Sequence, residues 1–410
     1  MPAASTGLLA LRAAAGVAAR AVTTADAVCG VLPGLVLEPE SVDQVAAVLV
    51  AASGNAVAVV PRGSGSELEW GDPPPREFAV LSTRRLTGVL DHAAADMVVV
   101  ARAGTTLDEL QRAVGATRQR LALDPPDPGA TLGGIVAANA AGPLRLRYGR
   151  PRDLLIGVQA VLPDGTTARA GGRVVKNVAG YDLGKLYAGS FGTLGVIVET
   201  TFRLHPLPAS SSVTFVETRD EASAVSLAES VIDSPLEAAS ASLHWSPEGP
   251  HRLRVRLEGS AAGVSARSRV LDEIVAATAG AEPAAGEAAP PMEAAGVLRL
   301  GFRPGDLGLV LAELRSVAEG APVWAAVEPG IGSADAHVSG EAGALSRFVS
   351  RLRERLAGWG HVHLRRAPPE VRRAVGTWDE RGLPLALLGA VKRRFDPAGI
   401  LAPGRMPGNR

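Results

Sequence analysis

The sequence predicts an α+β protein, with a glycine-rich first part and a second part in which helices cover one side of an antiparallel sheet. Two observations support this fold class. In the first half, apolar strand-like segments alternate with glycine-rich loops, beginning with a β-α-β unit. Over about 210–375, strands alternate with helices such as 341–357, in which Leu345, Phe348 and Leu352 recur on one face.

Composition narrows the possible classes of function. Of the 410 residues, 42 are basic and 42 are acidic, and this balance argues against a nucleic-acid partner. The one cysteine, Cys29, cannot form an intramolecular disulfide or hold an iron–sulfur cluster, so redox chemistry would need an organic cofactor. Because no apolar run reaches the about 20 residues of a membrane span, we expect a cytoplasmic protein without a transmembrane segment, which partners could hold at the membrane periphery.

The first glycine-rich loop follows the β-α-β unit. Ser41 and Gln44 have the spacing of a helix N-terminal cap, and the later strand Ala56–Val60 leads into Arg62–Ser66. Successive amides in such a loop can bind phosphate oxygens. The loop is not a Rossmann fingerprint, because Leu68 takes the place of the third glycine. An ordinary turn is the alternative.

A second stretch, 124–142, brings three prolines to the start of a helix. Thr131 is a suitable N-cap, and Gly133 and Gly134 lie in the first helical turn. Glycine costs about 1 kcal/mol relative to alanine inside a helix. Two glycines here indicate either that a ligand approaches the unpaired N–H groups or that the helix packs closely on a sheet.

The third stretch, 171–197, holds two glycine clusters around a short Tyr-Asp-Leu segment. Gly171–Gly172 form the first cluster, and Gly189, Gly192 and Gly195 form the second, ahead of an apolar strand. Glycine permits a left-handed backbone and the close approach of a flat or anionic ligand. A pair of tight turns is the alternative that this stretch by itself leaves open.

Together these stretches resemble the vanillyl-alcohol-oxidase type of FAD-binding fold, also called the PCMH-type FAD domain. The resemblance rests on four segments in order and on a tail, namely Pro61–Ser66, Pro128–Gly134, Lys176–Leu183, Gly189–Ile197 and Phe395–Arg405. More narrowly, the third stretch resembles the FAD-binding E subunit of bacterial glycolate oxidase. The resemblance implies a two-part FAD-binding domain, an α+β cap domain and a C-terminal tail that returns to the FAD domain.

The predicted domain boundaries follow from this resemblance and from a Pro-x-Pro sequence that ends at Pro208. The cap resembles that of the family only in the order of its elements. We expect an N-terminal helical extension over 1–25, the PCMH-type FAD-binding domain over 26–208, the cap or substrate domain over 209–375 and the tail over 376–410, packed on the FAD domain.

The resemblance also implies which residues hold FAD. Gly63–Ser66 would bind the pyrophosphate through backbone amides, the second stretch would line the diphosphate and the inner edge of the flavin, and the third would pack against the adenine and ribose. Family members with covalent FAD use a His or Cys in these loops. Here Ser66 stands at the matching position and no Cys is near, so we expect non-covalent FAD. The implied cofactor-binding residues are Arg62, Gly63, Ser64, Gly65, Ser66, Pro126, Gly129, Thr131, Gly133, Gly134, Asn139, Gly142, Gly192, Gly195, Val196 and Ile197.

Two departures from the family bear on catalysis. Related D-2-hydroxyacid dehydrogenases carry two histidines separated by glycines in the cap, where they help to bind metal and the substrate carboxylate. Here His337 is the nearest match, and no metal site is predicted. His361 and His363 share a strand face, a pattern more typical of a half-exposed strand than of a metal site. In the tail, Ala402 replaces the Asn that often precedes Pro-Gly.

The leading hypothesis is an FAD-dependent oxidoreductase, or a subunit of one, that oxidises a small 2-hydroxy acid such as glycolate or D-lactate, the flavin accepting a hydride from the α-carbon. Lys176, Tyr181 and Lys185 are the candidate polar groups near the flavin, unless they only fix their loop. The alternative is an FAD-bearing non-catalytic or electron-relay subunit of a glycolate oxidase-like complex. The resemblance implies flavoprotein and iron–sulfur partner subunits. A nucleotide-binding module without redox function is a third reading of the same motifs.

Overall fold

The computed structural model of the protein describes residues 6–173, 182–286 and 293–408. Among them, no helix combines the length and the apolar composition that crossing a membrane requires. The helices of this part are α1 Thr6–Ala15, α2 Val42–Gly54, α3 Leu107–Gly115, α4 Leu132–Ala138, α5 Arg145–Tyr148, α6 Pro151–Leu154, α7 Gly184–Tyr187, α8 Glu221–Asp233, α9 Ala261–Ala277, α10 Leu307–Ala318, α11 Ala342–Arg355, α12 Pro369–Val375 and α13 Leu385–Phe395. The strands are β1 Ala19–Arg20, β2 Leu35–Leu37, β3 Ala58–Arg62, β4 Phe78–Ser82, β5 Val89–Ala93, β6 Val98–Arg102, β7 Gln119–Arg120, β8 Leu155–Val161, β9 Thr167–Gly171, β10 Val196–Arg203, β11 His205–Pro206, β12 Ser210–Thr218, β13 Ser240–Trp245, β14 His251–Gly259, β15 Ala281–Ala284, β16 Gly296–Gly301, β17 Val323–Glu328, β18 Ser333–Val338 and β19 His361–Arg366.

The chain divides into two compact units. The first unit contains residues 1–142, 148–207 and 382–410, and the second contains 143–147 and 208–381. Most of the C-terminal tail therefore belongs to the same unit as the glycine-rich half of the chain. Only residues 382–410 of the predicted tail lie in the first unit, since 376–381 belong to the second, and the predicted domain bounds stay a prediction.

A small sheet in the first unit directs the first glycine-rich loop. Its strand order is β1-β2-β4-β3, and β2 and β3 both pair with β4 in parallel. Helix α2 connects β2 to β3 and begins at Ser41, whose hydroxyl accepts the Gln44 N–H at 3.1 Å, as predicted. Val45 and Leu49 of α2 are fully buried in the core against these strands. Strand β3 is thereby held so that its last residue, Arg62, opens the loop.

A second, antiparallel sheet in the first unit has the order β5-β6-β10-β8-β9. Helices α3 and α4 share its core, which includes Leu110, Ile135 and Phe202. The start of α4 is fastened by its own backbone, because the Gly133 N–H donates to the Ala103 carbonyl at 2.8 Å. The first turn of α4 consequently lies against the chain that leaves β6.

The second unit is built on one eight-stranded antiparallel sheet with the order β15-β12-β14-β13-β17-β18-β16-β19. Alternate residues of these strands form a single core with α8, α9, α10 and α11, to which Leu253, Leu311 and Leu352 belong. The predicted layer of helices on an antiparallel sheet is confirmed. The intervening residues carry charged and aromatic side chains, and we name Arg299, Asp335, His337, His363 and Arg365 the polar sheet face.

Candidate cofactor cavity

Three separate segments of the first unit line one cavity. They are the end of β3 with the loop that follows it, the first turns of α4, and the loop over 191–197 that enters β10. Thr83 and Arg405 complete the lining. The volume of this half-open cavity is about 80 Å³, small beside the roughly 300–1,000 Å³ of pockets that bury a drug-sized ligand. The cavity therefore suits one segment of a dinucleotide, such as its diphosphate, rather than the whole.

The first wall begins at Arg62, which is held by a buried carboxylate. The Arg62 side chain is 7% exposed, and its Nη1 donates to the fully buried Asp26. Asp26 also accepts hydrogen bonds from Arg20 and from the Thr23 N–H. The bonds from Arg20, more than any other contact, hold the pKa of Asp26 below its usual range. Burial lowers the pKa of the Arg62 guanidinium, and the charge of Asp26 opposes this shift.

The Nε–H group of Arg62 is a donor that the described part of the protein does not match. Its Nε is buried and has no hydrogen-bond partner among the described residues, although Arg62 lines the cavity. A buried donor without a partner costs about 1–3 kcal/mol. An anion in the cavity would supply the acceptor.

The second wall is the start of α4, where a side chain on each of two adjacent glycines would meet different neighbours. Thr131 caps the helix as predicted, since its Oγ1 accepts the Gly134 N–H at 3.4 Å. A Cβ on Gly133 would lie 2.8 Å from the Cβ of Ala103, so close packing explains that glycine. A Cβ on Gly134 would meet only the Thr131 hydroxyl, at 3.1 Å, and Gly134 lines the cavity. Both glycines line the cavity, so packing and ligand approach both apply to Gly133, and ligand approach is the reason left for Gly134.

The third wall is the loop that leads into β10. Gly192 has a left-handed backbone with φ +73°, and a Cβ there would lie 3.1 Å from the Pro61 ring. Phe191, also left-handed with φ 51°, sets its ring edge-on to Trp70 at 5.3 Å between centroids. A larger residue at 192 would separate this loop from the end of β3. Gly192 therefore keeps the first and third walls close together.

The structure brings eleven of the sixteen predicted cofactor-binding residues to this cavity. All three glycine-rich stretches contribute, although the stretches are far apart in sequence. The eleven are Arg62, Gly63, Ser64, Gly65, Ser66, Gly133, Gly134, Gly192, Gly195, Val196 and Ile197.

The other five, Pro126, Gly129, Thr131, Asn139 and Gly142, are not among the residues that line the cavity. Asn139 closes the last turn of α4 with a left-handed φ of 49°. A Cβ on Gly142 would lie 1.9 Å from a backbone oxygen, so this glycine is required by packing. Pro126 is exposed. Contact between these five residues and a cofactor stays a prediction.

Sequence reasoning did not assign Thr83, Phe191 or Arg405 to the site. Phe191 stands directly before Gly192, so its position was a usable signal, whereas Arg405 lies far along the chain. The expectation that no cysteine is near the loops was wrong. The thiol of Cys29 donates to the Gly71 carbonyl at 3.1 Å, and its Sγ accepts a hydrogen bond from Arg405 Nη1 at 3.2 Å. Cys29 is not itself among the lining residues.

The catalytic candidates do not meet at the described cavity. Lys176 and Tyr181 lie outside the described residues. Lys185, on α7, donates from Nζ to the backbone carbonyl of Arg152 and lies 3.8 Å from the Asp182 carboxylate. It does not line the cavity. These contacts favour the alternative in which Lys185 fixes its own segment.

The histidines of the second unit are engaged within that unit. The His337 ring meets Trp324 edge-on at 5.2 Å between centroids. The Nδ1 of His363 accepts the Asp379 N–H at 3.0 Å, and burial lowers the pKa of His363 to about 4, so its ring is neutral near pH 7. In the described part of the chain, no three His, Cys, Asp or Glu side chains converge as metal ligands would.

The arginines of the polar sheet face are matched by an internal carboxylate. Arg299 donates to both oxygens of Asp335, at 2.6 and 2.9 Å, and Arg365 donates to the same group at 2.9 Å. Burial alone would raise the pKa of Asp335, but the two guanidinium charges outweigh it and hold this pKa below its usual range. Asp335 therefore matches both arginines from within the second unit.

The cavity has the properties that an FAD diphosphate requires. It offers an unmatched guanidinium N–H at Arg62, a glycine-rich loop, and a helix start where Gly134 leaves room. Residues 33–171 match the family described as "FAD binding domain". The predicted FAD cofactor and the resemblance to the PCMH-type domain are confirmed.

Curated relatives share part of the chain. A D-lactate dehydrogenase of Archaeoglobus fulgidus is 41% identical over 175 residues, 42% of this chain and 39% of that protein. The glycolate oxidase subunit GlcD of Bacillus subtilis is 35% identical over 181 residues, 43% and 38% of the two chains. The subunit GlcE of Escherichia coli is 38% identical over 155 residues, 37% and 44%. The matches thus span about two fifths of the length of these relatives.

The likeness in fold extends over most of the chain. A structure of p-cresol methylhydroxylase with substrate bound superposes with a TM-score of 0.74, covering 91% of this chain and 88% of that one, at 16% sequence identity. At this identity the similarity concerns the fold alone. It agrees with the predicted order of an FAD-binding part, an α+β part and a returning tail.

Proposed function

We propose that this protein is the FAD-bearing component of an oxidoreductase that converts a small 2-hydroxy acid, such as glycolate or D-lactate, to the 2-oxo acid. The single observation that carries the proposal is the FAD-binding domain over 33–171 in a chain whose relatives are named as glycolate oxidase subunits and a D-lactate dehydrogenase. Oxidation breaks the Cα–H and O–H bonds of the acid and forms a C=O bond. Bound FAD supplies the chemistry by accepting the two electrons.

The chain's own residues would hold and orient the cofactor. The Gly63–Ser66 loop would bind the diphosphate through backbone amides, and the first turn of α4, where Gly134 leaves room, would lie beside it. Arg62 would contribute a fixed positive charge whose orientation is set by Asp26. These contacts need no covalent bond, and Ser66 stands where covalent relatives carry a His or Cys, so we propose non-covalent FAD.

A second candidate function is an FAD-bearing electron-relay subunit without substrate chemistry of its own. The observation that favours it is on the polar sheet face, where Arg299 and Arg365 are both bound to Asp335. A substrate carboxylate that used these arginines would have to displace that internal carboxylate. Under this proposal a flavoprotein partner supplies the substrate site and an iron–sulfur partner takes the electrons. We expect such a complex in the cytoplasm, held at the membrane only through partners.

The two functions are separated by the flavin spectrum of the isolated chain. The protein is purified alone, supplied with FAD, and mixed anaerobically with glycolate or D-lactate. Bleaching of the flavin band at the rate of the intact activity supports a catalytic chain. No bleaching alone, with turnover restored by co-expressed partner subunits, supports the relay. Absence of any flavin absorbance or thermal shift with FAD would refute both.

The mode of attachment is tested on the same preparation. Acid precipitation should leave all flavin in the supernatant, because a non-covalent cofactor is released when the fold is lost. Flavin retained in the pellet would contradict non-covalent binding.

A further inference from the structure

The C-terminal tail runs beside the strand that leads into the first glycine-rich loop. The Val59 N–H on β3 donates to the Ile400 carbonyl, and the Ala402 N–H donates back to the Val59 carbonyl, both at 2.8 Å. Ile400, Leu401 and Ala402 are fully buried. The tail therefore acts as an additional short strand on the outer side of β3, three residues before Arg62.

Two buried cations of the tail each hold a carbonyl at one wall of the cavity. Lys392 Nζ donates at 2.9 Å to the carbonyl of Thr193, in the loop that forms the third wall. Arg405 donates at 2.7 Å to the Leu68 carbonyl and at 3.1 Å to the Glu67 carbonyl, at the far end of the first loop. Arg405 is 2% exposed and lines the cavity, whereas Lys392 does not line it.

We propose that Arg405 is a positioning residue for FAD, which fixes the end of the first glycine-rich loop and sets a buried positive charge against the cavity. Because the same side chain touches the loop and belongs to the tail, docking of the tail and binding of FAD must stabilise each other. The tail is thus a component of the cofactor site. This inference rests on the FAD-binding site of the proposed function and is independent of the substrate.

The contacts of Arg405 require the planar guanidinium group of an arginine. Its two Nη atoms reach two successive carbonyls and the Sγ of Cys29 at once. A lysine at 405 keeps the charge but cannot donate in the same plane to all three groups. Arg405→Lys should therefore recover only part of what Arg405→Met loses.

The test compares three variants of the full chain. Arg405→Met and Arg405→Lys alter the proposed residue. Arg76→Met is the matched control, because exposed Arg76 also donates to a tail carbonyl, that of Gly399 at 2.8 Å, but does not line the cavity. For each apoprotein we measure the FAD Kd by quenching of flavin fluorescence and the Tm without FAD.

We expect Arg405→Met to weaken FAD binding on the order of tenfold or more, because charge-assisted hydrogen bonds at the loop are lost. Arg405→Lys should fall between Arg405→Met and the parent protein, and Arg76→Met should stay within about twofold of the parent Kd. A purely structural role would lower the apoprotein Tm of Arg405→Met without changing Kd. An unchanged Kd in Arg405→Met overturns the proposal.

A measurement on the unaltered protein covers the case in which Arg405→Met does not fold. Hydrogen exchange is recorded at the amides of Ala402 and of Asp72, which donates to the Gly404 carbonyl at 3.3 Å. Mutual stabilisation predicts that FAD slows exchange at both amides. Protection confined to Gly63–Gly65, with none at Ala402 or Asp72, would overturn the proposal.

The outcomes also separate this inference from the proposed function. A parent protein that binds FAD but is not reduced by any hydroxy acid, alone or with partners, contradicts only the proposed function. A parent protein reduced by such an acid, with an Arg405→Met variant that binds FAD equally well, contradicts only the role of Arg405. Failure of the parent protein to bind FAD would contradict both the proposed function and the role of Arg405.

Discussion

The cavity of the first unit and the polar sheet face of the second unit both hold arginines, buried in the first and half-buried in the second, but they satisfy them differently. At the cavity, Arg62 keeps an Nε without a partner among the described residues, beside glycines that leave room. On the polar sheet face, Arg299 and Arg365 converge on Asp335 at 2.6–2.9 Å. A buried polar group with no partner is costly unless a ligand supplies one. The difference indicates that the first region is built to receive an anionic ligand and that the second is stabilised from within.

The largest expected effect is at Gly134. Gly134→Leu should abolish flavin retention, because the side chain would fill space assigned to the cofactor, and overpacking typically costs about 1–3 kcal/mol even without ligand loss. The measurement is the flavin absorbance of the purified variant relative to its 280 nm absorbance.

Gly343→Leu is the matched control for Gly134→Leu. Gly343 also lies in the first turn of a helix, α11 of the second unit, and a Cβ there would meet only the end of an arginine side chain, at 3.7 Å. This variant should stay yellow. A Gly134→Leu protein that is folded and fully yellow would show that the start of α4 serves packing only.

The next effect separates the buried carboxylate of Asp26 from the half-buried carboxylate of Asp335. Asp26→Asn leaves the buried Arg62 without a matching charge, and breaking a buried pair costs about 3–5 kcal/mol. Asp335→Asn removes the partner of the half-buried Arg299 and Arg365 and should cost less. Only Asp26→Asn should also weaken FAD binding, because only Arg62 lines the cavity. Urea unfolding and FAD titration of both variants provide the comparison. Equal FAD affinity in the two variants would contradict the role given to the Asp26–Arg62 pair.

The third effect is a pH dependence confined to the second unit. Burial, with a smaller contribution from the charge of His361, lowers the pKa of His363 to about 4 in the folded state, against an ordinary value of 6.5. The unfolded chain therefore binds a proton that the folded chain does not. The contribution of His363 to the free energy of unfolding is complete above about pH 6.5, decreases as the pH falls toward 4, and does not change further below that. The total loss is on the order of 2–3 kcal/mol.

This pH dependence is checked with His363→Asn, which removes the titrating group but can still accept the Asp379 N–H. Four of the five tryptophans, Trp245, Trp324, Trp359 and Trp378, belong to the second unit, so tryptophan fluorescence reports mainly on its unfolding. The variant should show a flatter dependence of urea midpoint on pH between 7 and 4.5. In the first unit, the pKa of Asp26 is lowered in the folded state, so the stability that Asp26 contributes is lost only below about pH 3.8. An identical pH dependence in variant and parent would exclude His363 as the source.

The smallest effect concerns two helix caps. Thr131→Ala removes the cap of α4 and Ser260→Ala removes that of α9, where Ser260 Oγ accepts the Gly263 N–H at 3.1 Å. Each should cost about 1 kcal/mol of unfolding free energy. If Thr131 acts only as a cap, the FAD affinity of the two variants will agree once stability is matched. A further loss of FAD affinity in Thr131→Ala would support the predicted contact between Thr131 and the cofactor.

Local features were accessible to sequence reasoning because their causes lie within a few residues. The caps at Ser41 and Thr131 are set by a side chain and an amide three positions on. Strand β18, Ser333–Val338, was not predicted, since its sequence Ser-Ala-Asp-Ala-His-Val lacks a run of branched apolar residues. It is a strand because β16 and β17 pair with it on both sides.

From the sequence, helix caps could be predicted because they are local, and the resemblance of three glycine-rich stretches and a tail to a PCMH-type domain implied an FAD-binding site. Only the tertiary structure decided which residues of those stretches face the cavity. Gly133 and Gly134 are neighbours with the same propensity and both line the cavity, yet Ala103, thirty positions earlier, leaves no space for a Cβ on Gly133, whereas a Cβ on Gly134 would meet only the Thr131 hydroxyl. Arg405 joins the site although Glu67 is 338 positions away. The physical reason is that burial and hydrogen-bond partners depend on distances between remote segments, which local preferences do not encode.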